Sequence, residues 1–304
     1  MKIEHIAVLC GGPSGEHEVS LKSGSSVADA LREHFPRVDR IVLDGRDFTL
    51  PLGVQCVFNV IHGEFGEDGT LQAELERLGV PYVGSGPAAS RLAMHKVESK
   101  RVLAEAGVPV LPDWVLGRDA SIPADLAVPF VVKPAAGGSS IGVTIVRDPG
   151  KMAAALDVAF ELGLEVLIEP YMSAREFTVA VWGERALPVV EVRPKAEFYD
   201  YRVKYTAGCT EYLVPAPVSE AVSSRFQEIG YRAHRALGCR HLSRVDLLWD
   251  EATDRAVVLE VNTLPGFTAT SLFPKAAGAA GIPFPELCRG LVLQAMDDFS
   301  TIKG

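Results

Sequence analysis

The sequence predicts an α/β protein of three units, and three observations carry that reading. Roughly the first ninety residues alternate apolar strands, polar loops and amphipathic helices, which is the signature of a parallel sheet with covering helices. Beyond them the order changes to strand pairs and single helices, the mark of smaller α+β units. The length, 304 residues with 48% hydrophobic and 23% charged, supplies core material for two or three compact units. The expected divisions are an N-terminal α/β domain over 1–90, a central α+β domain over 91–184 and a C-terminal α+β domain over 185–304.

HIAVLC reads as the first strand and GGPSGEHEVS as its Gly-rich loop. A helix follows, with Leu21, Gly24, Ala28, Leu31 and Phe35 at helical spacing. CVFNVIHG is a second buried strand, GEFGEDGT its loop, and TLQAELERLG a helix with Leu71, Leu75 and Leu78 inward. Functional loops then belong at the strand C-termini. SRLAMHKVESKRVLAEAG is predicted as a helix stopping at Gly107. PFVVKPAAGGSSIGVTIV reads as two strands around a glycine-serine loop. PGKMAAALDVAFELG is a helix, and EVLIEPYM and EFTVAVWG are strands. From ALPVVEVRP onward come further strands, a polar aromatic loop, the helix SEAVSSRFQEIGYRAHRALG, a hairpin and a C-terminal helix.

The net charge of −9 argues against nucleic acid or an anionic membrane as partner. No apolar run reaches the length of about 18 residues that a membrane span needs. MKIEHIAVLCGG is too short and too charged for a secretory signal. The five cysteines, at 10, 56, 209, 239 and 288, lack CxxC or zinc spacing. Reduced thiols in a cytoplasmic protein are therefore expected.

The hairpin carries the most chemistry. SRVDLLWD and RAVVLEVN flank EATD, and a turn centred on Thr253 sets Asp246 opposite Glu260 and Arg244 opposite Asn262. Because side chains alternate faces, Val245, Leu247, Trp249, Val257, Leu259 and Val261 then form one apolar face. Arg244, Asp246, Glu260 and Asn262 converge on the other, and a one-residue slip would destroy both. Two carboxylates and an amide oxygen suit a hard cation such as Mg²⁺. Arg244 adds a fixed positive charge. A solvated face with cross-strand ion pairs is the alternative.

Weaker signals lie upstream. In KPAAGGSSIG, Lys133 ends a strand before glycines that let backbone N–H groups approach phosphate oxygens. Ser139 and Ser140 add donors. No GxxxxGK[ST] is present, and an ordinary Gly-rich hairpin turn would read the same. Lys96 lies nearby, otherwise an exposed helix residue. In LIEPYM, Glu169 closes a strand where a purine edge could meet the backbone, with Tyr171 or Met172 against its face; an ordinary strand end is the alternative. Glu176 could meet ribose hydroxyls or water. FYDYRVKYTAG, with Lys204 among three tyrosines, fits either a closing lid or an aromatic-anchored surface loop.

Taken together, HGEFGEDGTLQ, PYVGSG, KPAAGGSSIG, FYDYRVKY, SRVDLL and EVNTLPGFTATSLFP resemble, in order and spacing, the D-alanine–D-alanine ligases within the ATP-grasp ligases. The resemblance covers essentially the whole chain. It implies ATP gripped between the central and C-terminal sheets. By motif position, Lys96 and Lys133 would hold ATP phosphates, Glu169, Tyr171, Met172 and Glu176 the adenine and ribose, and Lys204 would meet the cofactor as it helps to close the site. Asp246, Glu260 and Asn262 would hold two Mg²⁺ ions, for which Mn²⁺ can substitute. Glu16 and His62 would meet the first D-alanine, and Ser271 and Leu272 the second. Arg244 and the Gly266 N–H would stabilise developing charge, and Ser139 and Tyr205 would close the site. The resemblance further implies peptidoglycan precursor synthesis through a D-alanyl phosphate, a homodimer, and, from tyrosine at 205, an amine acceptor. The chain departs from common family forms at Met94-His95-Lys96, at Ala136-Gly137 and at Pro170.

Overall fold

The computed structural model describes residues 2–122, 126–138, 141–194 and 210–303. They form three sheets. In the first, β1 (His5–Gly11), β2 (Arg37–Leu43), β3 (Cys56–Asn59) and β4 (Tyr82–Val83) stand in the order β2-β1-β3-β4. All neighbours are parallel, as the strand–loop–helix alternation requires. RVDRIVL, which the sequence reading passed over, makes β2. Its charged positions are tolerated because it is an edge strand with only Val38 and Leu43 buried. Helix α1 (His17–Arg32) lays Gly24, Ala28 and Leu31 on β1. Gly24 is required there, since a Cβ would sit 2.4 Å from the Cys10 Cβ. Helix α2 (Thr70–Leu78) buries Leu71 and Leu75. Leu78, expected inward, is 44% exposed because the helix ends at its last turn beside Gly79 in the left-handed conformation.

The segment expected as a single helix up to Gly107 is two, α3 (Pro87–Met94) and α4 (Lys96–Glu105). His95 between them is extended and bridges to Ala136 in the glycine loop. Its Nδ1 accepts from the Glu98 N–H, capping α4, and the Lys96 N–H donates to the Ala135 carbonyl at 2.7 Å. The break thus docks Lys96 on the loop that follows Lys133.

The central sheet is antiparallel, in the order β5-β8-β6-β7. It contains β5 (Trp114–Gly117), β6 (Phe130–Pro134), β7 (Thr144–Val146) and β8 (Glu165–Pro170). Helix α5 (Met152–Phe160) covers one face through Met152, Ala155, Ala159 and Phe160. The large sheet contains β9 (Arg175–Trp182), β10 (Arg185–Ala186), β11 (Val190–Pro194), β12 (Thr210–Leu213), β13 (Leu242–Asp250) and β14 (Arg255–Asn262). Its order is β12-β11-β9-β13-β14, with β10 on β9. β9, on the central side of residue 184, pairs along its length with β13 of this large sheet. Helix α6 (Glu220–Ala236) packs Phe226, Ile229 and Ala233 against Phe177, Val179 and Trp249.

After β14 the chain forms α7 (Leu272–Ala279) and α8 (Phe284–Lys303). α8 returns to the N-terminal sheet, where Leu287, Leu291 and Val292 share a core with Ile6, Val8 and Phe58. The large sheet and the first sheet are thereby fixed to one another through apolar contact. No helix among the described residues is long and apolar enough to cross a membrane.

Candidate active site

Two cavities of about 620 and 610 Å³ meet between the sheets. Both are lined by Lys96, Gly138, Glu176, Val192, Leu259 and Glu260, so they form one continuous space. The first lies between Val131 and Ile145 of the central sheet, with Val143 just before β7, and Leu248 and Leu259 of the large one. The two faces of this slot are apolar there, and charged residues close its ends. Glu169, Tyr171, Met172 and Glu176, for which adenine and ribose contacts were expected, all line it. Arg147 lies over the Tyr171 ring at 5.3 Å.

At the floor of this slot lies a buried ionic cluster. The two Glu169 oxygens pair with Lys100 and Lys133, and Lys100 Nζ also sits 3.0 Å from Asp113 Oδ1. Glu169, Lys100 and Lys133 are 3%, 4% and 5% exposed. Burial acts to raise the Glu169 pKa, but the two ammonium groups overcome it and hold the carboxyl below its ordinary value. Lys133, expected at ATP phosphates, is therefore tied to Glu169 here. Lys96 Nζ donates to the Gly137 carbonyl and lines both cavities.

The hairpin pairs as expected at its functional end, with Arg244 opposite Asn262 and Asp246 opposite Glu260. The register then shifts between Asp246 and Leu247, so that Leu247 faces Val258. This bulge corrects the expected apolar face. The core takes Ala256 and Val258 along with Val245, Leu247, Trp249 and Val261, and Leu259 turns to the cavity. Bulges of this kind re-aim side chains beside functional sites. Arg244 grips Asp246 with a two-point fork, Nε to Oδ1 at 2.8 Å and Nη2 to Oδ2 at 2.7 Å. Asn262 Oδ1 accepts from the Leu264 N–H at 2.8 Å, leaving a second lone pair. Among the described residues no group of three or more His, Cys, Asp or Glu forms a metal cluster. Two facing carboxylates and an amide oxygen do, however, match the hard-oxygen donors that Mg²⁺ takes when it keeps further positions for phosphate and water.

The second cavity is lined by Glu16, His62, Arg244, Gly266, Ser271 and Leu272, every described residue expected to meet amino-acid substrates. Its back wall is a hydrogen-bonded chain. The Phe267 N–H donates to Ser23 Oγ at 3.3 Å, Ser23 Oγ contacts His62 Nε2 at 3.3 Å, and His62 Nδ1 contacts Glu67 Oε1 at 3.2 Å. Burial raises the Glu67 pKa, and the His62 bond opposes this only in part. Ser14 Oγ donates to the His62 carbonyl at 2.6 Å, binding the Glu16 loop to the same strand end. Ser271 is the N-cap residue of α7, and a Cβ on Gly266 would lie 3.1 Å from its Oγ. Ser139, Lys204 and Tyr205 lie outside the described residues. Sequence reasoning missed Lys100, Asp113 and Glu67. Lys100 follows Lys96 by one helical turn, which is the only local sign that both face the same way.

A cavity between the central and large sheets that opens onto an acid- and hydroxyl-lined chamber is the arrangement of an ATP-grasp ligase. The model of the D-ala D-ala ligase C-terminus matches residues 102–293, and that of the N-terminus matches 45–85. A D-alanine–D-alanine ligase of Citrifermentans bemidjiense is 47% identical over 291 residues, covering 94% of each chain. The crystal structure of D-alanine–D-alanine ligase from Bacillus anthracis complexed with ATP superposes with a TM-score of 0.88 at 32% identity, covering 100% of both chains. The VanG D-Ala:D-Ser ligase from Enterococcus faecalis superposes with a TM-score of 0.85 at 29% identity, covering 97% of this chain and 100% of its own. The chain belongs to the D-alanine–D-alanine ligase family.

Proposed function

We propose that this protein joins two D-alanines into D-alanyl-D-alanine through a D-alanyl phosphate, consuming ATP and releasing ADP and phosphate, in the cytoplasm and for peptidoglycan precursors. The observation that carries the reading is the junction of the two cavities at Lys96 and Glu260. A nucleotide whose base fills the apolar slot has its terminal phosphate at the mouth of the amino-acid chamber. A carboxylate is a poor acylating agent, and its activation by phosphate needs that adjacency.

In this reading the first D-alanine sits with its ammonium on Glu16 and near His62. Its carboxylate oxygen attacks the γ-phosphorus as the bond to ADP breaks. Lys96, Lys204 and Arg244 neutralise the charge on the moving group, while Lys133 stays paired with Glu169 in the nucleotide slot. Asp246, Glu260 and Asn262 would hold two Mg²⁺ ions, which when bound supply Lewis-acid stabilisation of phosphate charge. The second D-alanine, at Ser271 and Leu272, attacks the acyl carbon with its amine. Arg244 and the Gly266 N–H stabilise the tetrahedral oxyanion, and phosphate departs. The segment bearing Tyr205, with Ser139, would exclude water from the acyl phosphate and assist removal of the amine proton. A homodimer accompanies the reading.

The test is phosphate release from ATP with Mg²⁺, with D-alanine, L-alanine or neither, together with mass spectrometry of the product. Release that depends on D-alanine and yields the dipeptide supports the proposal. A clear preference for D-serine or D-lactate as acceptor would replace the second substrate. ATP binding without turnover would overturn the reading.

A further inference from the structure

Lys275 is a cation that the mechanism above leaves without work. It lies one helical turn beyond Ser271 on α7, on the same face of the helix, and it lines the amino-acid chamber. It is half-buried, and its Nζ stands 4.7 Å from the centroid of the Tyr212 ring, which lines the same chamber from the edge strand β12. Among the described residues no carboxylate pairs with this ammonium. The aromatic face holds the charge in place without neutralising it. Lys275 is also the fourth residue of α7, in the helix's first turn, where a positive charge opposes the helix dipole. A cation held over a ring, unneutralised, at the unfavourable end of a helix and beside a substrate chamber is arranged for an anion.

We propose that Lys275 is a specificity-determining residue that recognises the α-carboxylate of the acceptor amino acid, completing the subsite of Ser271 and Leu272. The inference rests on the ligase reading and deepens it. Ser271 is a neutral donor, and its Oγ already accepts from the Thr268 N–H at 3.1 Å. A hydroxyl and a backbone N–H take a carboxamide as well as a carboxylate, with only the charge-assisted part of the bond to separate them. Arg244, in the same chamber, is forked onto Asp246, so the Lys275 ammonium beside Ser271 adds a demand for negative charge at this end. The chamber then excludes acceptors whose carboxyl is already amidated or esterified. The acceptor must be a free D-amino acid rather than an internal residue of a peptide.

The experiment compares D-alanine with D-alaninamide as acceptor, with D-alanine as donor, and follows both products by mass spectrometry. The wild-type protein is expected to favour D-alanine strongly. Lys275→Met is expected to lower that preference ratio about tenfold, the worth of one charge-assisted hydrogen bond at a half-exposed site. Lys275→Arg is expected to keep it. An unchanged ratio, or rates falling equally with both acceptors as loss of Tyr212 packing would give, overturns the proposal. Thermal unfolding verifies that the variants are folded, and Lys275→Gln repeats the comparison if the methionine variant is not. Absence of any dipeptide from the wild-type protein would instead refute the ligase reading, so the two failures are distinct.

Discussion

Replacing Lys100 by methionine removes one of the two cations that hold Glu169. The hydrocarbon stem is largely kept, so the perturbation is chiefly electrostatic. Glu169 and both lysines are at most 5% exposed, which leaves no water to take over from the lost ammonium. Breaking a buried ion pair from one side costs about 3–5 kcal/mol, because the remaining charge stays buried and unpaired. Here Glu169 keeps Lys133, and Asp113 has a side chain that is 27% exposed and can be hydrated. The lower end, about 3 kcal/mol, is therefore expected. At about 2–4 °C per kcal/mol for chains of this order, the melting temperature should fall by roughly 6–12 °C. Thermal unfolding of wild type, Lys100→Met, Glu169→Gln and the double variant measures it. The double variant should lose less than the sum of the two single losses, since both singles break the same Lys100–Glu169 pair, although it leaves the buried Lys133 without its carboxylate. The sign with pH follows from the depressed Glu169 pKa. Its stabilisation is present above the ordinary carboxylate value and is lost as pH falls through the folded one. The deficit of Lys100→Met should thus be largest near neutrality and shrink in acid. A melting temperature within about 1 °C of wild type, or strict additivity in the double variant, would refute the reasoning.

Three other outcomes are expected. Glu67 has a raised pKa, so its contribution is greatest below the ordinary carboxylate value and is lost as pH rises through the folded one. Glu67→Gln should therefore gain in melting temperature relative to wild type between pH 5 and pH 8, and a flat difference over that range would count against the assignment. Gly24→Ala places a methyl 2.4 Å from the Cys10 Cβ, and overpacking of about 1–3 kcal/mol should appear as a lower urea midpoint. Glu260→Gln should lower D-alanine-dependent phosphate release by at least about 100-fold and raise the Mg²⁺ concentration needed for half-maximal rate. An unaltered Mg²⁺ dependence would remove Glu260 from the metal site.

Much of the functional end of the hairpin was legible in the sequence, because alternation in a two-stranded pair is a local rule. Apolar and polar residues could satisfy both faces in only one register near Asp246 and Glu260, and that register is the one formed. The bulge was not legible, since the residues it re-aims, Leu247, Val258 and Leu259, are all apolar and either arrangement keeps them out of water. Only packing against α6 on one side and the cavity on the other decides that Val258 goes inward and Leu259 outward. The break at His95 was hidden for a similar reason. Helical spacing runs through it, and the bond from the Lys96 N–H to Ala135 that competes with a continuous helix comes from a strand some forty residues on.

The sequence by itself determined the alternating parallel layer, the order of motifs, and the facing of Asp246 on Glu260 and of Arg244 on Asn262, because each depends on neighbours along one strand, loop or hairpin. Tertiary structure decided which charges are buried together and which stay open to a substrate. Lys100 and Lys133 look alike in sequence to Lys275. The first two are closed on Glu169 by sheet and helix packing, and Lys275 is left over an aromatic ring facing the chamber. The field at a side chain is set by everything within about 10 Å of it, and that neighbourhood exists only once the three sheets have met.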